Sequence, residues 1–251
     1  MKIGVPKEIK NHEYRVGMTP SAVREAANHG HEIVVETNAG NGIGGNDDTY
    51  RAAGAAIVDS AQEVFATADM IVKVKEPQAN ERKMLREGQV LFTYLHLAPD
   101  PEQTKDLVDS GAICIAYETV TDEHGGLPLL APMSQVAGRM SIQAGAHCLE
   151  RTQGGAGVLL AGVPGVRPAK VVIVGGGVVG ENAAYMAVGM GADVTILDRN
   201  VDTMRSLVVR FGQSVKTLYS TSLTLEEEML AADLVIGAVL LPGAEAPKLI
   251  T

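Results

Sequence analysis

The chain has 251 residues, 46% hydrophobic and 20% charged, which is enough apolar material for a packed core and argues against disorder. At that length two moderate domains are expected rather than one. Lys and Arg number 21 against 30 Asp and Glu, and the resulting formal charge of −9 repels a phosphate backbone, so nucleic acid is excluded as an expected partner.

No run approaches the roughly 18–20 apolar residues of a spanning helix, and the N-terminus has no apolar core of signal-peptide length. The expectation is a cytoplasmic protein with no membrane partner. Cys114 and Cys148 lack metal-ligand spacing, so no metal site is expected, and both read as buried thiols in a reducing compartment.

Short β-branched runs alternate with helical stretches from the first residue, the pattern of βαβ units on a parallel sheet. Residues 1–5 predict a strand. Thr19 and Pro20 then read as the cap and first position of a helix that stops at Gly30. A strand at 33–36 leads into a glycine-rich turn at 38–46, with short helices at 48–53 and 61–66. Strands follow at 70–75, 89–94 and 112–116, separated by helical segments. One long helix is expected over 133–151, with Val136, Met140, Ala144 and Cys148 sharing a stripe. It reads as a domain connector and a candidate subunit interface.

After a glycine- and proline-rich loop at 154–168, the alternation resumes. Strands are expected at 170–174, 193–197, 214–219 and 233–237, with helices at 178–190, 201–211 and 225–231 between them. The fold class is therefore α/β in two domains: an N-terminal α/β domain at 1–130, and at 131–251 a Rossmann-type doubly wound parallel sheet.

The first strand of this second half runs into Gly175, Gly177 and Gly180, which fit G-x-G-x-x-G between a strand and a helix. The first glycine permits a tight turn, the second a close approach to a pyrophosphate, the third close helix packing. A glycine turn without a ligand is the alternative. Asp198 ends the next strand about 20 residues on, where a carboxylate accepts from ribose hydroxyls and favours NAD over NADP; the alternative is a helix-capping Asp. Ser220 and the pair Val239 and Leu240 follow later strands and share that ligand-facing edge.

In the first half, Arg15, Lys75 and His96 each sit near a probable strand end, so they could converge on one small anion. Arginine suits a carboxylate clamp, lysine polarises a carbonyl, and histidine transfers protons near neutral pH. The alternatives are a solvated Arg15, a surface pair of Lys75 with Glu76, and a His96 held by a backbone partner between Leu95 and Leu97.

The segments MKIGVPKEIKNHEYRVGMTP, IVKVKEP, LFTYLHLAPD, LLAPMSQVAGRMSIQAGAHCLE, VVIVGGGVVGENAA and LDRN, in this order and spacing, resemble the alanine dehydrogenase family over essentially the whole chain. The nucleotide-binding subunit of transhydrogenase shares the fold and phosphate loop, and having both Lys75 and His96 favours the amino-acid dehydrogenase. The resemblance implies NAD-dependent oxidative deamination of L-alanine to pyruvate and ammonia, and the reverse reductive amination. It implies that Arg15 and Lys75 hold the substrate and that Lys75 and His96 are catalytic, His96 moving the proton. It implies that Ser134, Gly175, Gly177, Val178, Val179, Gly180, Asp198, Thr203, Ser220, Val239 and Leu240 line the NAD site, with Thr203 standing where the family often has a basic residue. A homo-oligomer, commonly a hexamer, is implied as well. The family's cofactor domain continues beyond the position of Thr251, so a C-terminally shortened member is expected. The alternatives are a nucleotide-binding but catalytically impaired form, a related amino-acid dehydrogenase and a transhydrogenase subunit.

Overall fold

The computed structural model describes residues 1–239 and Lys248, and the chain divides into two compact units, Met1–Leu129 and one that begins at Leu130. In the first, β1 (Lys2–Val5), β2 (Glu32–Glu36), β3 (Ala55–Val58), β4 (Met70–Val72), β5 (Val90–Thr93) and β6 (Ile113–Ala116) form one parallel sheet in the order β3-β2-β1-β4-β5-β6. The buried Val and Ile runs of β1, β2 and β4 suit a sheet covered on both faces there. One face carries Ile3, Val5, Ile33 and Val35 against α1 (Pro20–Asn28) and α2 (Asp47–Ala52). The other carries Val34, Ile71 and Leu91 against α3 (Ala61–Thr67), followed in the chain by α4 (Ala79–Arg82) and α5 (Pro101–Asp109). Thr19 caps α1 by accepting from the Ala22 N–H, with Pro20 at its first position, as expected.

The strand order reverses between β1 and β4, and in an open parallel sheet ligands bind outside the carboxyl ends at such a switch point. Two elements differ from those expected. β3 is an additional strand, whose Ala-Ala-Ile-Val sequence is too short to announce itself. β4 stops at Val72 rather than at residue 75, because the Val74 N–H donates 2.6 Å to the Glu8 carboxylate.

The second unit opens with α6 (Ala131–Cys148) and continues with β7 (Lys170–Val174), α7 (Val178–Gly189), β8 (Asp193–Asp198), α8 (Val201–Phe211), β9 (Val215–Tyr219), α9 (Ser222–Leu230) and β10 (Leu234–Gly237). The parallel order β10-β7-β8-β9 puts the first strand at the reversal, directly before the phosphate loop. Val171, Ile173, Ile196, Ala183, Ala184 and Ile142 make its main core.

On α6 the expected stripe of Val136, Met140, Ala144 and Cys148 faces outward, while Gly138, Ile142 and Gly145 are buried. A Cβ on Gly138 would stand 2.2 Å from the Val179 carbonyl, so the close crossing with α7 selects the small residues for the inner face. Cys148 is thus exposed rather than buried, and Cys114 is half-buried, with burial pushing its thiol up. Among the described residues no helix is long and apolar enough to cross a membrane.

Candidate active site

The phosphate loop of the second unit has the steric form its spacing demands. Gly175 has φ +102°, where a side chain is strained, and a Cβ there would meet the Ala238 carbonyl oxygen at 2.7 Å. A Cβ on Gly180 would collide with the Gly175 carbonyl oxygen at 1.8 Å, so α7 packs as closely on the loop as expected. Gly177 differs: a Cβ there meets nothing within 4 Å. Open space above a backbone at a helix N-terminus, with the positive end of the α7 dipole behind it, fits a pyrophosphate. Gly177 caps α7 without a side chain, leaving Val178 exposed and Val179 half-buried in the first turn.

Asp198 ends β8 beside this loop. Its Oδ2 accepts from the Gly176 N–H at 2.6 Å and its Oδ1 from the Asn200 N–H at 2.7 Å. The helix-capping alternative is overturned, since the cap of α8 is Asn200, which accepts from the Asp202 and Thr203 N–H groups. The Thr203 methyl lies 3.0 Å from where a Cβ on Gly176 would stand. The Ser220 N–H donates to the Asp198 carbonyl at 2.9 Å, and Val239 flanks Gly175 across the ends of β7 and β10. Ser134 is in the first turn of α6, one turn before the Gly138 crossing. Leu240 lies outside the described residues.

In the first unit the ends of β4 and β5 are stitched together beyond the regular ladder. Lys73 N–H donates to the Phe92 carbonyl, Tyr94 N–H to that of Val74, and the Thr93 hydroxyl to that of Lys75 at 2.9 Å. This brings Lys75 Nζ within 3.5 Å of His96 Nε2, though 21 residues separate them. An ammonium only donates, so in this contact Nε2 is the accepting atom. The surface pair of Lys75 with Glu76 does not form; Glu76 pairs with Lys10 instead. His96 has φ +49°, a left-handed conformation that costs a non-glycine residue about 1–3 kcal/mol. The Tyr94 ring stacks nearby at 6.1 Å between centroids.

Beside these groups is a cavity of about 440 Å³ lined by residues including Arg15, Thr19, Val74, Phe92, Tyr94 and Tyr117. Arg15 reaches it because the loop before α1 crosses the end of β4 at Gly17, where a Cβ would stand 2.2 Å from the Val72 carbonyl oxygen. The Arg15 guanidinium is not solvated at random. Its Nε and Nη2 donate to the two oxygens of Glu13 at 2.8 and 2.6 Å, leaving Nη1 without a protein acceptor among the described residues. The outer edge of the guanidinium is thus free for a second carboxylate.

Hydrogen bonding from Arg15 holds the Glu13 carboxyl below its usual range. A depressed pKa contributes stability that is present above the unfolded value near 4.5 and lost as pH falls through the folded one. Glu13→Gln is therefore expected to flatten the acid limb of stability below pH 4.5, measured as the urea midpoint against pH.

Beneath the cavity, Lys73 is fully buried, its Nζ 2.7 Å from Glu81 and 3.3 Å from Glu8. Burial pushes the Glu8 carboxyl up, partly offset by Lys73 and by the Val74 N–H. Burial also raises the phenols of Tyr94 and Tyr117, so both remain neutral donors. Glu8, Glu13, Lys73, Tyr94, Tyr117 and Glu118 were not singled out from sequence. Glu13, Lys73 and Tyr94 each stand two residues from Arg15, Lys75 and His96, whereas Glu8, Tyr117 and Glu118 had no local signal.

Two family models divide the chain between them: alanine dehydrogenase/PNT, N-terminal domain, at residues 4–137, and alanine dehydrogenase/PNT, C-terminal domain, at residues 141–251. The chain belongs to the alanine dehydrogenase/PNT family. Alanine dehydrogenase of Halomonas elongata is 59% identical over all 251 residues, which span 68% of that protein, and alanine dehydrogenase of Methanococcus maripaludis is 57% identical over the same residues, 67% of its length. Among solved structures, an L-alanine dehydrogenase matches at TM-score 0.92 and 54% identity, over 100% of this chain and 69% of its own. The transhydrogenase from Sinorhizobium meliloti matches at TM-score 0.82 and 26% identity, over 99% of this chain and 72% of its own. The two-domain α/β fold expected from sequence is that of the family, and the greater identity is with its alanine dehydrogenases.

Proposed function

We propose that this protein is an alanine dehydrogenase that uses NAD to convert L-alanine and water to pyruvate and ammonia, and runs the reverse reductive amination. The observation that carries the reading is the pairing of Lys75 Nζ with His96 Nε2 at the carboxyl edge of β4 and β5, next to a cavity that Arg15 lines. Identities of 53–59% to relatives of that name favour it over an impaired form or a transhydrogenase subunit. Residues 1–130 are the substrate domain in this reading, and 131–251 the NAD domain.

The free edge of the Arg15 guanidinium holds the substrate carboxylate, and Lys75 donates to the oxygen on C2. NAD, when bound, would supply the hydride acceptor for C2 of alanine. His96 Nε2, with its lone pair, takes the proton from the water that adds to the resulting imine, giving the carbinolamine that collapses to pyruvate and ammonia. In the reverse direction the same nitrogen returns that proton to the leaving hydroxyl. Gly175, Gly177, Gly180, Val178 and Val179 would hold the pyrophosphate and Asp198 the adenosine ribose, with Ser134, Thr203, Ser220, Val239 and Leu240 around the rest of the dinucleotide. The reading also takes the protein as a cytoplasmic homo-oligomer, a hexamer, for which exposed Val136 and Met140 of α6 supply apolar surface.

Loss of NADH absorbance with pyruvate and ammonium tests the reaction. Consumption with pyruvate but not with 2-oxoglutarate is expected; preference for another 2-oxo acid, or none consumed, overturns the assignment. Asp198→Ala is expected to raise the NADH dissociation constant by roughly 10–100-fold, the worth of hydrogen bonds to a charged acceptor. An unchanged value in a fluorescence titration removes Asp198 from the site.

A further inference from the structure

Glu118 lies in the single helical turn after β6, outside every motif above, and its carboxylate makes no ion pair among the described residues. It accepts instead from two consecutive backbone amides: Leu95 N–H at 3.0 Å to Oε1 and 3.2 Å to Oε2, and His96 N–H at 2.6 Å to Oε1. The other side of the same peptide is also held, since the Leu95 carbonyl accepts from Nε2 of buried Gln103 at 2.5 Å. Between these two anchors His96 takes its left-handed φ of +49°.

A non-glycine residue keeps such a conformation only where its surroundings over-determine it. Rotating His96 back to an ordinary conformation would turn the Leu95–His96 peptide and break bonds at both ends. We propose that Glu118 is a positioning residue, whose carboxylate, opposed by Gln103, clamps this peptide so that His96 Nε2 faces Lys75 Nζ. This rests on the reading of His96 as the proton-transfer group. A carboxylate suits the task because Oε1 accepts from both amides and Oε2 takes a second contact from Leu95, where the amide nitrogen of a glutamine would turn a donor toward the Leu95 N–H.

Glu118→Gln, Gln103→Met, His96→Gln and the double variant Glu118→Gln/His96→Gln separate the possibilities. Glu118→Gln is expected to lower kcat by up to about a hundredfold, as a displacement of roughly 1 Å does, with KM for pyruvate and NADH within about twofold. Gln103→Met, releasing the other end of the peptide, is expected to move kcat in the same direction. In the His96→Gln background Glu118→Gln is expected to cost nothing further, because residues acting as a unit are not additive. The ¹³Cα shift of His96 is expected to leave its left-handed value in both Glu118→Gln and Gln103→Met, a readout independent of turnover.

An unchanged kcat and unchanged ¹³Cα shift in Glu118→Gln overturn the clamp. So does an equal loss from Glu118→Gln with and without His96, which would place the effect elsewhere. If His96→Gln alone keeps full turnover, the proton-transfer reading fails, while the ¹³Cα shift still decides whether Glu118 holds the peptide. If Glu118→Gln does not fold, Gln103→Met decides by the same two readouts.

Discussion

Lys73→Met is expected to lower the unfolding free energy by about 3–5 kcal/mol, the loss typical when one partner leaves a buried ionic group. The side chain is fully buried between Glu8 and Glu81, so methionine fills much of the same volume but leaves two carboxylates facing each other without a cation. The deficit should depend on pH in a definite sense. Glu8 is already raised above its usual 4.5 by burial, so the folded state binds more protons than the unfolded one in the window above 4.5. Its contribution to stability therefore falls as pH rises through that window, and without Lys73 the window extends further upward. The variant should lose less at about pH 4 than at about pH 8. Adding Glu8→Gln should recover part of the loss at the higher pH. With no Trp in the chain, circular dichroism through a urea series is the suitable measurement. A loss below about 1 kcal/mol, or one that does not change with pH, would mean the three groups are not the buried unit described.

His96→Gln is expected to lower kcat by roughly 10²–10⁴-fold, the usual contribution of a positioned acid–base group. Glutamine retains a polar head but cannot carry the proton between steps. NADH affinity should be unchanged, because the phosphate loop and Asp198 belong to the second unit and keep their hydrogen bonds. Steady-state rates with an NADH titration on the same preparation separate the two effects. Full turnover in this variant would remove His96 from the chemistry.

What could be read from the sequence follows the range of each interaction. The phosphate loop was legible because its glycines answer steric demands within six residues: Gly180 exists to clear the Gly175 carbonyl, and both lie in one motif. Strands rich in Val and Ile, such as β2 and β7, were equally plain, whereas β3 with its two alanines was not. Arg15, Lys75 and His96 were found by residue type and strand-end position, and the fold brings Lys75 and His96 into contact. Their supports were hidden because they act across distance. Glu8 reaches Val74 from 66 residues away, and Glu118 reaches His96 from 22. On α6 periodicity shows which residues share a face but not which face is covered: the close crossing with α7 buries the glycine face, so Cys148, expected to be buried, is exposed.

Hydride transfer from alanine to NAD can be followed with an isotope. L-Alanine deuterated at C2 is incubated with NAD and the protein, and the NADH formed is examined by proton NMR. NADH carrying one deuterium at C4 of the nicotinamide ring is expected, formed only when alanine is present. No alanine-dependent NADH, or NADH without the label, would contradict direct hydride transfer from alanine to NAD.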